Sequence, residues 1–159
     1  MSVRSTAKAI ILHNGKVLLN KCYDKHNGGY YSLPGGGQNQ YEPLEEAAVR
    51  ECLEETGYAV TPVRFAALYE EICLDEEIRA VYPQYAHKLY HIFVCTLKNE
   101  ERSAPTETDD LQLGAVWVDI AALSSVRLLP RAVGARMAEL IAGAPPLFLG
   151  TDHIPFNHG

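Results

Sequence analysis

Glu42, Arg50, Glu51, Glu54 and Glu55 could share one reaction centre. At roughly 100° per residue on a helix, Leu44, Ala47, Ala48, Glu51, Glu54 and Glu55 fall within one arc of about 120°. Three carboxylates therefore continue a stripe that starts apolar. Carboxylates at i, i+3 and i+4 converge on one volume, and charges that close raise each other's pKa unless a cation compensates them. A hard divalent ion does so: Mg²⁺ prefers oxygen ligands and bridges protein carboxylates to phosphate oxygens, with Mn²⁺ as a substitute. The helix taken alone leaves a second reading open, a solvated acidic face on which Arg50 pairs with Glu54 at i+4.

The elements that must hold these residues follow from local patterns. Ala9 to Leu12 and Lys16 to Asn20 are short β-type runs around His13-Asn14-Gly15, a hairpin signal. Tyr30 to Leu33 reads as a strand stopped by Pro34 and three glycines, with a loop from Pro34 to Tyr41. Pro43 suits a first helical position, Glu45 and Glu46 the first turn and Gly57 the far end, so a helix is expected over Pro43 to Thr56. Val63 to Ile72 and Lys88 to Leu97 read as strands around a polar, aromatic-rich excursion, Asp75 to His87. Asn99 to Leu113 reads as loop, Gly114 to Val118 as a strand and Pro130 to Ile141 as a terminal helix. The expected fold is α+β, an α/β/α layered sandwich with a mixed central sheet. One domain is expected over 1–159, with a core of about 5–143 and a tail over 144–159 that has no clear period.

Five residues separate Gly36 from Glu42 and seven separate Glu42 from Arg50-Glu51; Cys52, Leu53, Glu54-Glu55, Thr56, Gly57 and Tyr58 follow. This pattern from Gly36 to Tyr58 closely resembles the Nudix box. Gly36, Glu42, Arg50, Glu51, Glu54, Glu55 and Gly57 stand at its fixed positions. Cys52 and Tyr58 stand where that family more often has aliphatic residues, and both concern packing rather than ligation. The hairpin before the box and the elements after it extend the resemblance over most of the chain.

The resemblance implies a Mg²⁺ site at Glu51, Glu54 and Glu55, with a backbone oxygen near Gly35 or Gly36 as a further ligand. It implies that Arg50 orients the carboxylates, pairing with Glu42, a geometry a planar guanidinium suits better than Lys. The chemistry is then substitution at phosphorus by water, with no protein nucleophile. Glu54 is the first choice as general base and Glu51 the alternative; a later loop could supply Glu107, Asp109 or Asp110 instead. The glycines, Gly36 and Gly37 among them, allow the close backbone approach a substrate loop needs. Tyr82 and Tyr85, with His87, could stack on a base or contact another subunit, which leaves a homodimer open.

The substrate expected from the resemblance is a nucleoside diphosphate derivative, such as ADP-ribose or another nucleotide sugar, or a nucleoside triphosphate. After the box, where some members carry a proline or tyrosine linked to substrate choice, this chain has Asp75 and Glu76. The alternative is a non-catalytic nucleotide sensor; loss of a box carboxylate would favour it, and all are present. The 159 residues are 47% hydrophobic and 21% charged, as in ordinary globular proteins. A net charge of −6 argues against nucleic acid or an anionic membrane as partner. The four cysteines lack metal-ligand spacing and read as buried thiols. No stretch has signal-peptide or membrane-spanning character, which gives a cytoplasmic expectation.

Overall fold

The computed structural model describes residues 2–107 and 112–156. Its centre is a mixed sheet of eight strands, β1 (Arg4–His13), β2 (Lys16–Asp24), β3 (Gly28–Ser32), β4 (Gly35–Gly37), β5 (Tyr58–Cys73), β6 (His87–Arg102), β7 (Gln112–Asp119) and β8 (Leu147–Ile154). The main path runs β3-β2-β1-β6-β5-β8, with β4 paired to β1 and β7 to β2. The β1–β6 and β5–β8 pairs are parallel and the others antiparallel.

The first hairpin turns at Asn14-Gly15, both at positive φ as a tight primed turn requires. β1 and β2 pair only beside that turn, at Leu12↔Val17 and His13↔Lys16. Beyond it they part, and the freed edge of β1 takes β4, with Thr6, Ala7 and Lys8 opposite Gly37, Gly36 and Gly35. The glycines expected in a loop are thus a strand, embedded next to the helix that follows.

That helix, α1 (Leu44–Thr56), has Pro43 as its extended N-cap, one residue outside the expected start. It ends at Gly57, at φ 79°, where a side chain would also strike the Ser103 carbonyl. Ala47, Ala48 and Cys52 pack on Ala7, Ala9, Ile11, Leu18, Phe93 and Cys95. The opposite face of the sheet carries Ile10, Leu19, Tyr69, Tyr90, Ile92 and Val94 under Val133, Met137 and Leu140. Each fully buried side chain of Leu or Ile size contributes roughly 1.5–3 kcal/mol. The layering is the expected α/β/α sandwich.

Several boundaries differ from expectation for physical reasons. β5 starts at Tyr58 rather than Val63: Pro62, which has no N–H to give the ladder, is accommodated opposite Cys95, and the register shifts between it and Arg64. β6 continues to Arg102, and residues 103–107 fold back on α1. The excursion after Asp75 holds a short helix, α2 (Glu76–Val81), capped by the Asp75 carboxylate on the N–H groups of Glu77 and Ile78. The terminal helix is two pieces, α3 (Arg131–Gly134) and α4 (Met137–Ala142), because Gly134 passes against the Leu128 carbonyl and Arg136 leaves helical geometry. Residues 147–154, without period in the sequence, form β8 along β5. All four cysteines are buried and none is in a disulfide. Among the described residues no helix is long and apolar enough to cross a membrane.

Candidate active site

The fully buried residues of α1 are Ala47, Ala48, Cys52 and Thr56, and on the same inward side Glu51 and Glu55 meet β4 and the sheet, so the stripe turns acidic toward the end of the helix. Glu51 lies over Gly36, where a Cβ would come within 2.5 Å of its Oε2. Glu55 turns toward the sheet and accepts hydrogen bonds from Asn20 Nδ2 at 2.5 Å, Gln112 Nε2 at 2.8 Å and the Gly35 N–H at 3.3 Å. Glu54 is half-buried and shares the Arg50 guanidinium with Glu51.

Arg50 ties the cluster together. Its Nε and Nη2 donate to the two oxygens of Glu42 at 2.7 and 2.9 Å, Nη2 also to the Gly37 carbonyl at 2.9 Å, and Nη1 to Glu51 at 2.9 Å and Glu54 at 3.2 Å. The guanidinium and the Asn39 N–H hold the Glu42 carboxyl down at about 2, and Glu42 in turn holds Arg50 firmly protonated.

The loop after β6 completes the acidic edge. Thr106 and Glu107 both donate backbone N–H groups to the Glu54 carbonyl at 2.9 Å, Ser103 donates to Gly57, and Arg102 to Thr56, so the exposed carbonyls at the end of α1 are satisfied. This brings Glu107 against Glu54, whose hydrogen bond and charge, together with Glu51, raise the Glu107 pKa. Asp109 and Asp110, the other candidate acids of this loop, lie outside the described residues.

Burial pushes the Glu55 carboxyl up, against the downward pull of Lys8, Gln112 and Asn20. Lys8, at an inward position of β1, donates to the Gly35 carbonyl at 2.9 Å and lines a cavity of about 90 Å³ beside Glu55, Asn20, Gly35 and Tyr90. On β2, Asn20 is 1% exposed, and its Oδ1 is buried without a hydrogen-bond partner while Nδ2 serves Glu55. No sequence pattern marks Asn20 or Gln112 as a partner of Glu55. The signal for Lys8 was present, since strict alternation puts it on the same face as Ile10.

The donor set suits a hard cation. It offers carboxylate and backbone oxygens, a glycine in place of a side chain under Glu51, and one buried oxygen with an unfilled hydrogen-bonding capacity. Among the described residues no three His, Cys, Asp or Glu side chains already stand together as a ready cation site. Arg50 holds Glu51 and Glu54, Asn20 and Gln112 hold Glu55, and Lys8 holds the Gly35 carbonyl, so binding a cation would exchange these contacts. Tyr85 carries the Arg4 guanidinium 4.9 Å over its ring, and Arg4 packs against Gly37, so the structure draws Tyr85 toward β4. Tyr82 is 55% exposed beside it at the end of α2, and His87 pairs with Glu70 at 2.7 Å rather than joining the site.

The comparisons agree with this architecture. A Caenorhabditis elegans protein bearing the name nudix hydrolase 1 is 30% identical over 128 residues, which are 78% of this chain and 31% of that protein. The chain thus spans about a third of that relative's length. The crystal structure of a NUDIX hydrolase from Nitrosomonas europaea superposes with a TM-score of 0.68 at 19% identity, over 96% of this chain and 80% of that one. An ADP-ribose pyrophosphatase from Streptococcus suis gives 0.57 at 19% identity, over 92% and 99%. At such identities these structures show a shared fold. The NUDIX domain model matches residues 3–142, and the chain belongs to that family.

Proposed function

We propose that this protein hydrolyses a phosphoanhydride bond in a nucleoside diphosphate derivative, ADP-ribose or another nucleotide sugar, or in a nucleoside triphosphate, with Mg²⁺ as cofactor. The observation that carries this reading is the complete acidic set on α1 against the bare backbone of Gly35 to Gly37, tied by Arg50. The ADP-ribose pyrophosphatase among the structures of the same fold gives the first substrate to try.

Bound at Glu51, Glu54 and Glu55 with the Gly35 carbonyl, Mg²⁺ would neutralise phosphate oxygens and lower the pKa of a water. The protein's own part is positioning and proton transfer. Arg50 fixes Glu51 and Glu54 relative to β4 through hydrogen bonds to both carboxylates and to the Gly37 carbonyl. Glu54 takes the proton of the attacking water, with Glu51 the alternative and Glu107, in contact with Glu54, the later-loop acid. Asn20 and Gln112 orient Glu55, and Lys8 supplies the positive charge nearest to it. Gly36 and Gly37 let phosphate approach the backbone.

Incubation with Mg²⁺ and a panel of nucleotide sugars and triphosphates tests the proposal. ADP-ribose is expected to yield AMP and ribose 5-phosphate. Glu54→Gln is expected to lower turnover by about 10²–10⁴-fold, and Glu55→Gln to abolish most of it, with folding retained in both. A panel wholly unturned with Mg²⁺ or Mn²⁺, by protein that still binds nucleotide, would favour the sensor reading.

A further inference from the structure

A second concavity lies past the far end of β4, whose first residue, Gly35, lines the Glu55 cavity. It is a groove of about 490 Å³ between residues 2–5 at the start of β1 and residues 38–41 before α1. Ligand sites commonly fall near 300–1,000 Å³, so the groove is of nucleotide size and the 90 Å³ cavity is not. The loop wall is built: Gln38 N–H donates to the Ser5 carbonyl at 3.0 Å, Ser5 Oγ to Gln38 Oε1 at 2.8 Å, and Gln38 Nε2 to the Glu42 carbonyl at 2.6 Å.

Arg4 is the charge in this groove. Its Nη2 stands 2.8 Å from where a side chain on Gly37 would begin, so the glycine makes room for the guanidinium at the edge of the carboxylate site. Tyr85 supports it from beneath by a cation–π contact, and among the described residues Arg4 has no ion-pair partner. Among the described residues no carboxylate lines the groove. An uncompensated, pre-positioned guanidinium suits a phosphate oxygen. At the rim, Tyr41 is 95% exposed and holds a positive φ of 66°, a conformation uncommon outside Gly, Asn and Asp, with almost no packing in return. The amides of Gln38, Asn39, Gln40 and Gln84 offer both donors and acceptors around it.

We propose that this groove is a nucleotide subsite in which Arg4 takes a phosphate and Tyr41 stacks on the base. The inference rests on the hydrolase reading and deepens it. The nucleotide end of the substrate is then held in the groove, with its phosphate at Arg4 beside Gly37.

The test is a metal-free NMR titration with AMP, which needs no turnover and so can fail or succeed independently of the hydrolase reading. Expected are shifts of the Gln38, Asn39 and Tyr41 amides, an at least tenfold weaker Kd in Arg4→Gln, and a several-fold weaker one in Tyr41→Asn. Tyr41→Asn is the safeguard on folding, because Asn tolerates positive φ and the ring is exposed. Lys16→Gln, a charge loss at a remote ion pair with Asp119, is expected to leave Kd unchanged. Shifts confined to Ser32, Leu33 and Gln112 around the inner cavity, equal affinities for Arg4→Gln and Lys16→Gln, or no binding at millimolar AMP would each overturn the subsite.

Discussion

Arg50 grips Glu42 through two parallel hydrogen bonds, Nε to Oε2 at 2.7 Å and Nη2 to Oε1 at 2.9 Å, while its remaining donors reach Glu51, Glu54 and Gly37. One planar group thus fixes the entry of α1, two acids of its middle turns and β4. Lys cannot make this fork. Arg50→Lys is expected to cost about 1–3 kcal/mol of stability by thermal or urea unfolding and to lower kcat more than it raises KM. A variant with unchanged stability and turnover would show that the fork is dispensable.

The same pair sets an acid limb of stability. The Glu42 pKa falls from the ordinary 4.5 to about 2 in the fold. A depressed carboxyl stabilises the fold above its unfolded value, and that stabilisation is lost as pH falls through the folded value. The melting-temperature gap between the native protein and Glu42→Gln should therefore be full at pH 6 and shrink between about 4.5 and 2. A gap constant down to pH 2 would remove the ion pair as its cause.

Two adjacent glycines should fail differently. A methyl on Gly35, at φ 132°, meets the Ala7 carbonyl of the neighbouring strand, which cannot yield, so Gly35→Ala should unfold or strongly destabilise the protein. The nearest atoms that a methyl on Gly36 meets are those of the Glu51 carboxylate, the far end of a side chain. Gly36→Ala should stay within about 4 °C of the native melting temperature, roughly 1 kcal/mol for this size, yet lose most activity. Calorimetry beside an activity assay separates the two.

Next to Tyr90 and opposite Arg4 on the neighbouring strand, Lys88 and Glu71 form a buried ion pair at 3.1 Å, 6% and 1% exposed. Burial pulls the Lys88 pKa down, and Glu71 opposes that pull. Lys88→Met strands a carboxylate and should cost about 3–5 kcal/mol; adding Glu71→Leu should recover most of it. An unrecovered double variant would mean that the pair is held by more than its mutual charge.

The sequence made α1 and its ends legible because the signals are local: Glu45 and Glu46 at the start, Gly57 at the stop, and the acid spacing between them. The Asn14-Gly15 hairpin was legible for the same reason. What stayed hidden depends on distant partners. Gly35 to Gly37 read as loop, since only the divergence of β1 from β2 gives them a strand to pair with. Residues 147–154 become β8 only because β5 offers a parallel edge. Asn20 and Gln112 reach Glu55 from 35 and 57 positions away, and no spacing rule connects them. The split of the terminal helix was written in Gly134, but its cause, the approach of Leu128, is tertiary.

Hydrolysis by water at a phosphoanhydride is read directly by ³¹P NMR of ADP-ribose with the protein and Mg²⁺ in ¹⁸O-enriched water. The diphosphate signals are expected to give way to two phosphomonoesters, one of them carrying the isotope shift, and chelation of the metal to stop the conversion. An intact diphosphate after prolonged incubation of every nucleotide in the panel with folded protein and Mg²⁺ or Mn²⁺ would contradict it.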